Sequence, residues 1–282
     1  MIFEFLLFNL KIMPSTSLSI VLTENAVLHS QFLGRDVEID FFLPKDIGDP
    51  ANASLLLVND GQNMDELGLK TILENLYNEG SLTPIVIAAI HAGNARKIEY
   101  GTAMQADYLG RGSKAGLYTR FIREELLPMI REKFAHLQFK EKAFAGFSLG
   151  GLMALDIVWN YPAEFTSAGI FSGSLWWRSL DHEHEDYDDE LHRIMHQQIK
   201  KGKHHPDLKF FFSTGSLDEA HDRNNNGIID SIDDTLALID DLESLGYRDG
   251  EDIRYINYED GKHDIATWAR AMPAFLTWRW GK

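Results

Sequence analysis

Two stretches of this chain, Ser54-Leu-Leu-Leu-Val-Asn59 and Pro84-Ile-Val-Ile-Ala-Ala-Ile90, are apolar at nearly every consecutive position. A strand with one face in water alternates apolar and polar residues, whereas a strand apolar on both sides needs cover on both. Between the two runs, Leu67, Ile72, Leu73 and Leu76 recur at helical spacing. Strand, helix, strand in that order requires a parallel sheet with helices on its faces. Further apolar runs at Ser167–Phe171, Lys209–Ser213 and Ile253–Tyr258 extend the sheet. Helical patterns lie between them or follow them. They comprise 117–134, with Leu117, Phe121, Leu127, Ile130 and Phe134 on its inner face, then 236–245 and Ile265–Trp280. Pro128 should kink the first of these or mark a second start. The chain opens differently: Leu18–Leu22 and Val37–Phe42, separated by the turn residues Leu33-Gly-Arg-Asp36, read as antiparallel strands. A length of 282 residues, 44% of them hydrophobic, with no Pro/Ser-rich linker, fits one α/β domain over residues 14–282.

The third strand region ends in a sequence that bears chemistry. In Lys142-Ala-Phe-Ala-Gly-Phe-Ser-Leu-Gly-Gly151, a short apolar run meets Gly146-x-Ser148-x-Gly150 and passes into Leu152, Met153, Leu155, Ile157 and Val158. This is the pattern of a nucleophile elbow, a strand-to-helix turn so tight that its flanks are glycine and its serine oxygen is held at the strand end. The pentapeptide alone is a weak signal; its place between a strand and a helix gives it weight.

A serine hydroxyl needs a base within hydrogen-bond reach and a carboxylate behind that base. On α/β-hydrolases these follow the serine in the order acid, then histidine, each on a loop after a strand. Asp218 follows the run Lys209–Ser213, and His263 follows the last strand. His221 competes as base, and Glu219 and Asp222 compete as acid. Backbone N–H donors for an oxyanion are expected at Leu149, after the nucleophile, and at Gln62 in Asp60-Gly-Gln62. Trp176 and Trp177, at a strand's carboxyl end, are candidate pocket walls, with core packing as the alternative. Arg96, in the long loop from His91 to Ala115, is a candidate contact to an anionic substrate group.

Taken together, Asp60-Gly-Gln-Asn63, Arg96-x-x-Glu-Tyr100, Gly146-Phe-Ser-Leu-Gly-Gly151, Ser172-Gly-Ser-Leu-Trp-Trp177 and Gly261-Lys-His263 resemble the putative-esterase family of α/β-hydrolases. That family is similar to enterochelin (ferric-siderophore) esterases, esterase D and carbohydrate feruloyl or acetyl esterases. The resemblance runs from about Val21 to the C-terminus. It implies an α/β-hydrolase fold with Ser148 as nucleophile and His263 as base. Gly215-x-x-Asp218 matches the acid of feruloyl-esterase relatives, although members differ in this acid and some work with a Ser-His pair. The implied chemistry is carboxylic-ester hydrolysis through an acyl-enzyme, or acyl transfer, on a siderophore, sugar or aromatic ester. No cofactor is implied for the chemical step. A catalytically silent binding module on the same scaffold is the alternative from another class.

A second motif lies beside the acid. Asp222-Arg-Asn-Asn-Asn-Gly-Ile-Ile-Asp-Ser-Ile-Asp233 follows an EF-hand-type calcium loop. Asp222, Asn224, Asn226, Asp230 and Asp233 supply oxygens, Ile228 a carbonyl, and Gly227 the turn. Asp233 stands where a glutamate is usual. Calcium here would be structural, stiffening the segment after Asp218. The histidines of His182-Glu-His-Glu185 and the pair His192 and His196 lack a consistent coordinating frame and read as a solvated excursion.

Charge and composition narrow the partners. A net charge of −16 disfavours nucleic acid and anionic membranes, and with no cysteine there is no disulfide or thiolate chemistry. Met1–Leu10 is apolar like an export signal but has no basic segment before it, and it is too short to span a bilayer. With Met13 as an alternative start, residues 1–13 are an N-terminal extension and a cytoplasmic protein is expected. If residues 1–12 are an export signal, the protein is periplasmic or secreted.

Overall fold

A computed structural model describes residues 20–282; the extension, its signal-like segment and the start of the first expected strand lie outside the described residues. These residues form one eight-stranded sheet in the order β1-β2-β4-β3-β5-β6-β7-β8. The strands are β1 (Val21–Ser30), β2 (Arg35–Pro44), β3 (Ala53–Asn59), β4 (Ile85–Ile90), β5 (Phe139–Phe147), β6 (Ser167–Phe171), β7 (Lys209–Leu217) and β8 (Ile253–Lys262). From β4 through β3 to β8 every pairing is parallel, whereas β1 pairs β2 and β2 pairs β4 antiparallel. This is the α/β-hydrolase arrangement, with an antiparallel N-terminal edge.

The unbroken apolar runs follow from cover on both faces. Leu55 and Leu57 of β3, with Val86, Ala88 and Ile90 of β4, enter one core. Leu56 and Val58, with Ile85, Ile87 and Ala89, enter the other. The first core is closed by residues of 115–134, of helix Leu149–Asn160 and of helix Asp230–Ser244; the second by helices Leu69–Asn78 and Ile265–Trp280. Strand β1 is an exposed edge, which is why it runs to Ser30 through polar residues that carry no apolar pattern.

Two local readings change. Pro128 does mark a second start, but through a π-helical stretch, Phe121–Leu126, after which helix Leu127–Lys133 begins with proline in its first turn. Leu117 is exposed, whereas Phe121, Leu127, Ile130 and Phe134 are buried as expected and are joined by Tyr118, Ile122 and Leu126. The extra residue per turn in the π-helical stretch shifts the buried stripe off the spacing expected of a plain helix. Among the described residues no helix is long and apolar enough to cross a membrane.

Candidate active site

Strand β5 ends at Phe147, helix Leu149–Asn160 begins at once, and Ser148 takes the whole turn at φ 55°, ψ −122°. A non-glycine residue there is strained, and strain of this kind persists only where the surroundings enforce it. Its flanks show why glycine is required. A Cβ on Gly146 would lie 2.3 Å from the Gly150 carbonyl oxygen, and one on Gly150 would lie 2.7 Å from Asp60 Oδ2. Leu149 opens the helix, so its N–H has no acceptor one turn back and remains free to donate.

The neighbouring strand end is fastened to this turn. Asn59 Nδ2 donates to the Gly150 carbonyl at 2.8 Å, and Tyr118 Oη donates to Asn59 Oδ1 at 2.6 Å. Arg96 clasps the Asp60 carboxylate with Nε at 2.6 Å and Nη2 at 2.7 Å, and Nη2 also approaches the Phe147 carbonyl at 3.3 Å. Arg96 is thus engaged within the protein, tying the loop after β4 to the ends of β3 and β5. Gln62 stands exposed beyond β3. Its side chain accepts from Ala92 N–H at 2.9 Å and reaches Asp60 at 3.4 Å, and Gln62 is not part of the wall of the cavity at Ser148.

Strands β7 and β8 bring the next two residues together by register. Their pairing continues past the apolar runs, through a bulge after Gly215, to Leu217 opposite Lys262. Asp218 and His263 are the residues that follow this last pair. The strands approach so closely that a Cβ on Gly215 would meet the Gly261 carbonyl carbon at 2.4 Å. Asp218 Oδ2 accepts from Gly215 N–H at 3.0 Å; among the described residues its buried Oδ1 has no partner.

His263 stands at the rim with its outer side exposed and one edge toward the Trp268 ring, 5.3 Å between centroids. Loss of water around it pulls its pKa below the ordinary value of 6.5; the Asp218 charge raises it, and the Arg96 charge lowers it further. Among the described residues no hydrogen bond joins His263 to Ser148 or to Asp218. Ser148 Oγ instead lies 3.4 Å from Ser174 Oγ.

Ser148, Ser174, Trp176, Asp218, Glu219 and His263 line one cavity of about 230 Å³. Trp176 is its aromatic wall. Trp177 is fully buried, with its ring against Gly101 and Gly112, and so belongs to the core. Glu219 faces the same cavity, and burial raises its carboxyl pKa. Asp222 and His221 do not line it. Ser172, Ser174 and Ser231 also line it, and nothing in their local sequence marks them for the site. Ser172 holds the Trp268 indole N–H at 3.1 Å from a residue position at φ 44°.

In the loop 222–233, Asp222 accepts from Asn226 N–H at 3.1 Å and Gly227 N–H at 2.9 Å. Asp233 Oδ2 accepts from Asn224 Nδ2 at 2.9 Å and Asn226 Nδ2 at 2.7 Å. Asn224 Oδ1 accepts from Asn226 N–H at 3.1 Å and Asn226 Oδ1 from Ile228 N–H at 2.8 Å, so turning either amide oxygen to an ion would give up one of these bonds. Asp230 departs from the pattern, its Oδ1 being taken by Arg223 N–H at 2.9 Å. Among the described residues no group of three or more Asp, Glu or His side chains is placed to hold a metal, so the loop's fit depends on its asparagines. His196 is buried against the Asp234 carbonyl, and His192 is half-buried with its Nδ1 on the Asp188 backbone, so that pair shares no site.

The sheet order and the serine at the strand-to-helix turn define an α/β-hydrolase. The sequence profile of the esterase family, described as "Putative esterase", matches residues 30–278. The chain belongs to that family. It is 28% identical over 149 residues to the iron(III) salmochelin esterase of Escherichia coli, a stretch that is 51% of this chain and 34% of that one. It is 32% identical over 71 residues to the siderophore triacetylfusarinine C esterase of Aspergillus fumigatus, 25% of this chain and 24% of that one. The aligned stretches thus span a half or less of the curated relatives' own length. Among solved structures, the enterobactin esterase of Shigella flexneri superposes with a TM-score of 0.69 at 19% identity, covering 91% of this chain and 58% of that one. A siderophore hydrolase of Aspergillus nidulans superposes at 0.65 with 18% identity, covering 90% and 94%.

Proposed function

We propose that the protein is a serine carboxylic-ester hydrolase with Ser148 as nucleophile, His263 as general base and Asp218 as the acid that orients it. The observation that carries this reading is the strained turn at Ser148, opening onto a cavity whose wall also includes Asp218 and His263. Ser148 Oγ attacks the ester carbonyl carbon while His263 takes its proton. The resulting oxyanion is met by the free N–H of Leu149, with Gln62 N–H proposed as the second donor. Collapse breaks the bond to the alcohol, which leaves with the proton from His263, and the acyl group stays on Ser148. A water, deprotonated by His263, attacks the acyl carbon; the bond to Ser148 Oγ breaks, His263 returns the proton to that oxygen, and the acid is released. Rotation of the exposed His263 ring toward Ser148 and the unpartnered Asp218 Oδ1 closes the hydrogen-bonded chain, as such contacts often tighten only with substrate bound. The named activities of the siderophore-esterase relatives support a small-molecule ester as substrate. In the test, Ser148→Ala should lower p-nitrophenyl acetate hydrolysis by about a thousandfold or more with an unchanged circular dichroism spectrum. Turnover at the wild-type rate in that variant contradicts the reading.

We further propose that the loop 222–233 binds calcium through Asp222, Asn224, Asn226, Asp233 and the Ile228 carbonyl, with Asp230 contributing through water. The ion would hold the segment after Asp218 and take no part in the chemical step.

A further inference from the structure

Beside the Ser148 cavity lies a second one, also of about 230 Å³, lined by Tyr108, Leu109, Arg111, Trp176, Arg178 and His221 among others. Trp176 and Glu219 belong to both walls, so the two cavities adjoin. The charges in the second cavity are unequal. Arg111 is paired with Asp107. Asp230 is held by Arg223; the Glu219 carboxyl meets the Ser231 backbone, its Oε1 is buried with no partner among the described residues, and burial raises its pKa, which favours its neutral form. Arg178 has no carboxylate partner among the described residues, although the chain carries 43 acidic residues against 27 basic ones.

Its guanidinium meets His182 Nδ1 at 3.0 Å through Nη2, and its Nε is buried without any acceptor. Three rings, Tyr108, Trp176 and Tyr187, surround it at 5.9 Å. Its backbone is fixed on two sides, by Tyr108 N–H donating to its carbonyl at 3.1 Å and by a bridge to Arg193. A positioned guanidinium with a buried N–H and no acceptor suits a planar anion, which it can bind through two parallel hydrogen bonds.

We propose that Arg178 is a specificity-determining residue: it binds a carboxylate carried by the substrate ester, with the scissile group at Ser148 and the chain between them passing over Trp176. This rests on Ser148 being the nucleophile. The anion can belong to the acyl or to the alcohol half, and the test separates the two. For the acyl arm, p-nitrophenyl hemisuccinate, hemiglutarate and hemiadipate are compared with neutral p-nitrophenyl esters of equal chain length. For the alcohol arm, the acetyl ester of p-hydroxybenzoate is compared with that of p-cresol.

The wild-type enzyme should favour the charged member in one arm by about tenfold or more in kcat/KM, and Arg178→Gln should abolish that ratio. Arg178→Lys should restore part of it. Arg178→Met, which keeps the apolar stem against Trp176, is the second variant should glutamine disturb folding. No charge preference in either arm, or a preference that survives both neutral substitutions, overturns the proposal. Binding of p-nitrophenyl hemisuccinate to Ser148→Ala protein, with and without Arg178→Gln, separates this claim from the catalytic one. If the wild type hydrolyses no ester, the nucleophile reading fails, and charge-dependent binding lost with Arg178 still decides the subsite.

Discussion

Replacing Arg96 by methionine should loosen the whole end of the sheet that carries Ser148. Asp60 has 2% of its side chain exposed, and Arg96 supplies both of its short hydrogen bonds. Removing one partner of a buried pair leaves an uncompensated charge and costs about 3–5 kcal/mol. The Arg96 side chain is 29% exposed, so water can partly replace it, and the lower value, about 3 kcal/mol, applies. For a chain of this size each kcal/mol lowers Tm by a few degrees, giving a fall of about 6–12 °C. Asp60→Asn should cost less, because the guanidinium it frees can turn to solvent. The double variant should be more stable than the sum of the single losses by about 2 kcal/mol, the signature of a direct pair. Calorimetric melting of the four proteins measures this. A Tm of Arg96→Met within 2 °C of wild type, taken as about the error of such a comparison, or strict additivity in the cycle, would refute the reasoning.

The pH profile of ester hydrolysis tests the base. His263 must be neutral to take the serine proton, and its pKa is lowered, so kcat/KM should rise on an acid limb centred below 6.5. Asp218→Asn removes a charge that raises this pKa, so the limb should move to lower pH still, while the plateau rate falls about a hundredfold or more. A limb above 6.5, or one that moves upward in that variant, contradicts the assignment. For the calcium loop, excess chelator should lower Tm and added calcium restore it. A free concentration a hundred times Kd is worth about 2.7 kcal/mol. Asp222→Ala should abolish the response, and a wild-type Tm indifferent to both treatments sinks the calcium reading.

The sheet could be read from the sequence because burial on both faces leaves little room for polar positions: β4 is apolar throughout and β3 from Leu55 to Val58, and the structure contains both. The elbow was legible for a related reason, since Gly146 and Gly150 each face atoms that a Cβ would strike. Other features depended on contacts that no local pattern encodes. Arg96 in a loop looks like a free cation until β3 places Asp60 beneath it. Trp176 and Trp177 are neighbours in sequence, yet one lines the cavity and the other fills the core, because the chain between β6 and Arg178 turns at that point. That Asp218 and His263 reach one cavity depends on the bulge after Gly215 and the continued β7–β8 pairing, both of which lie in polar sequence with no strand signature.

The central claim is that Ser148 is the activated nucleophile. The direct measurement is labelling of the native protein with a fluorophosphonate, followed by mass spectrometry of the proteolytic peptides. The account predicts one adduct, on the peptide containing Ser148, absent in Ser148→Ala and slowed about a hundredfold or more in His263→Ala. An adduct on another residue, or labelling that persists unchanged in Ser148→Ala, would contradict it.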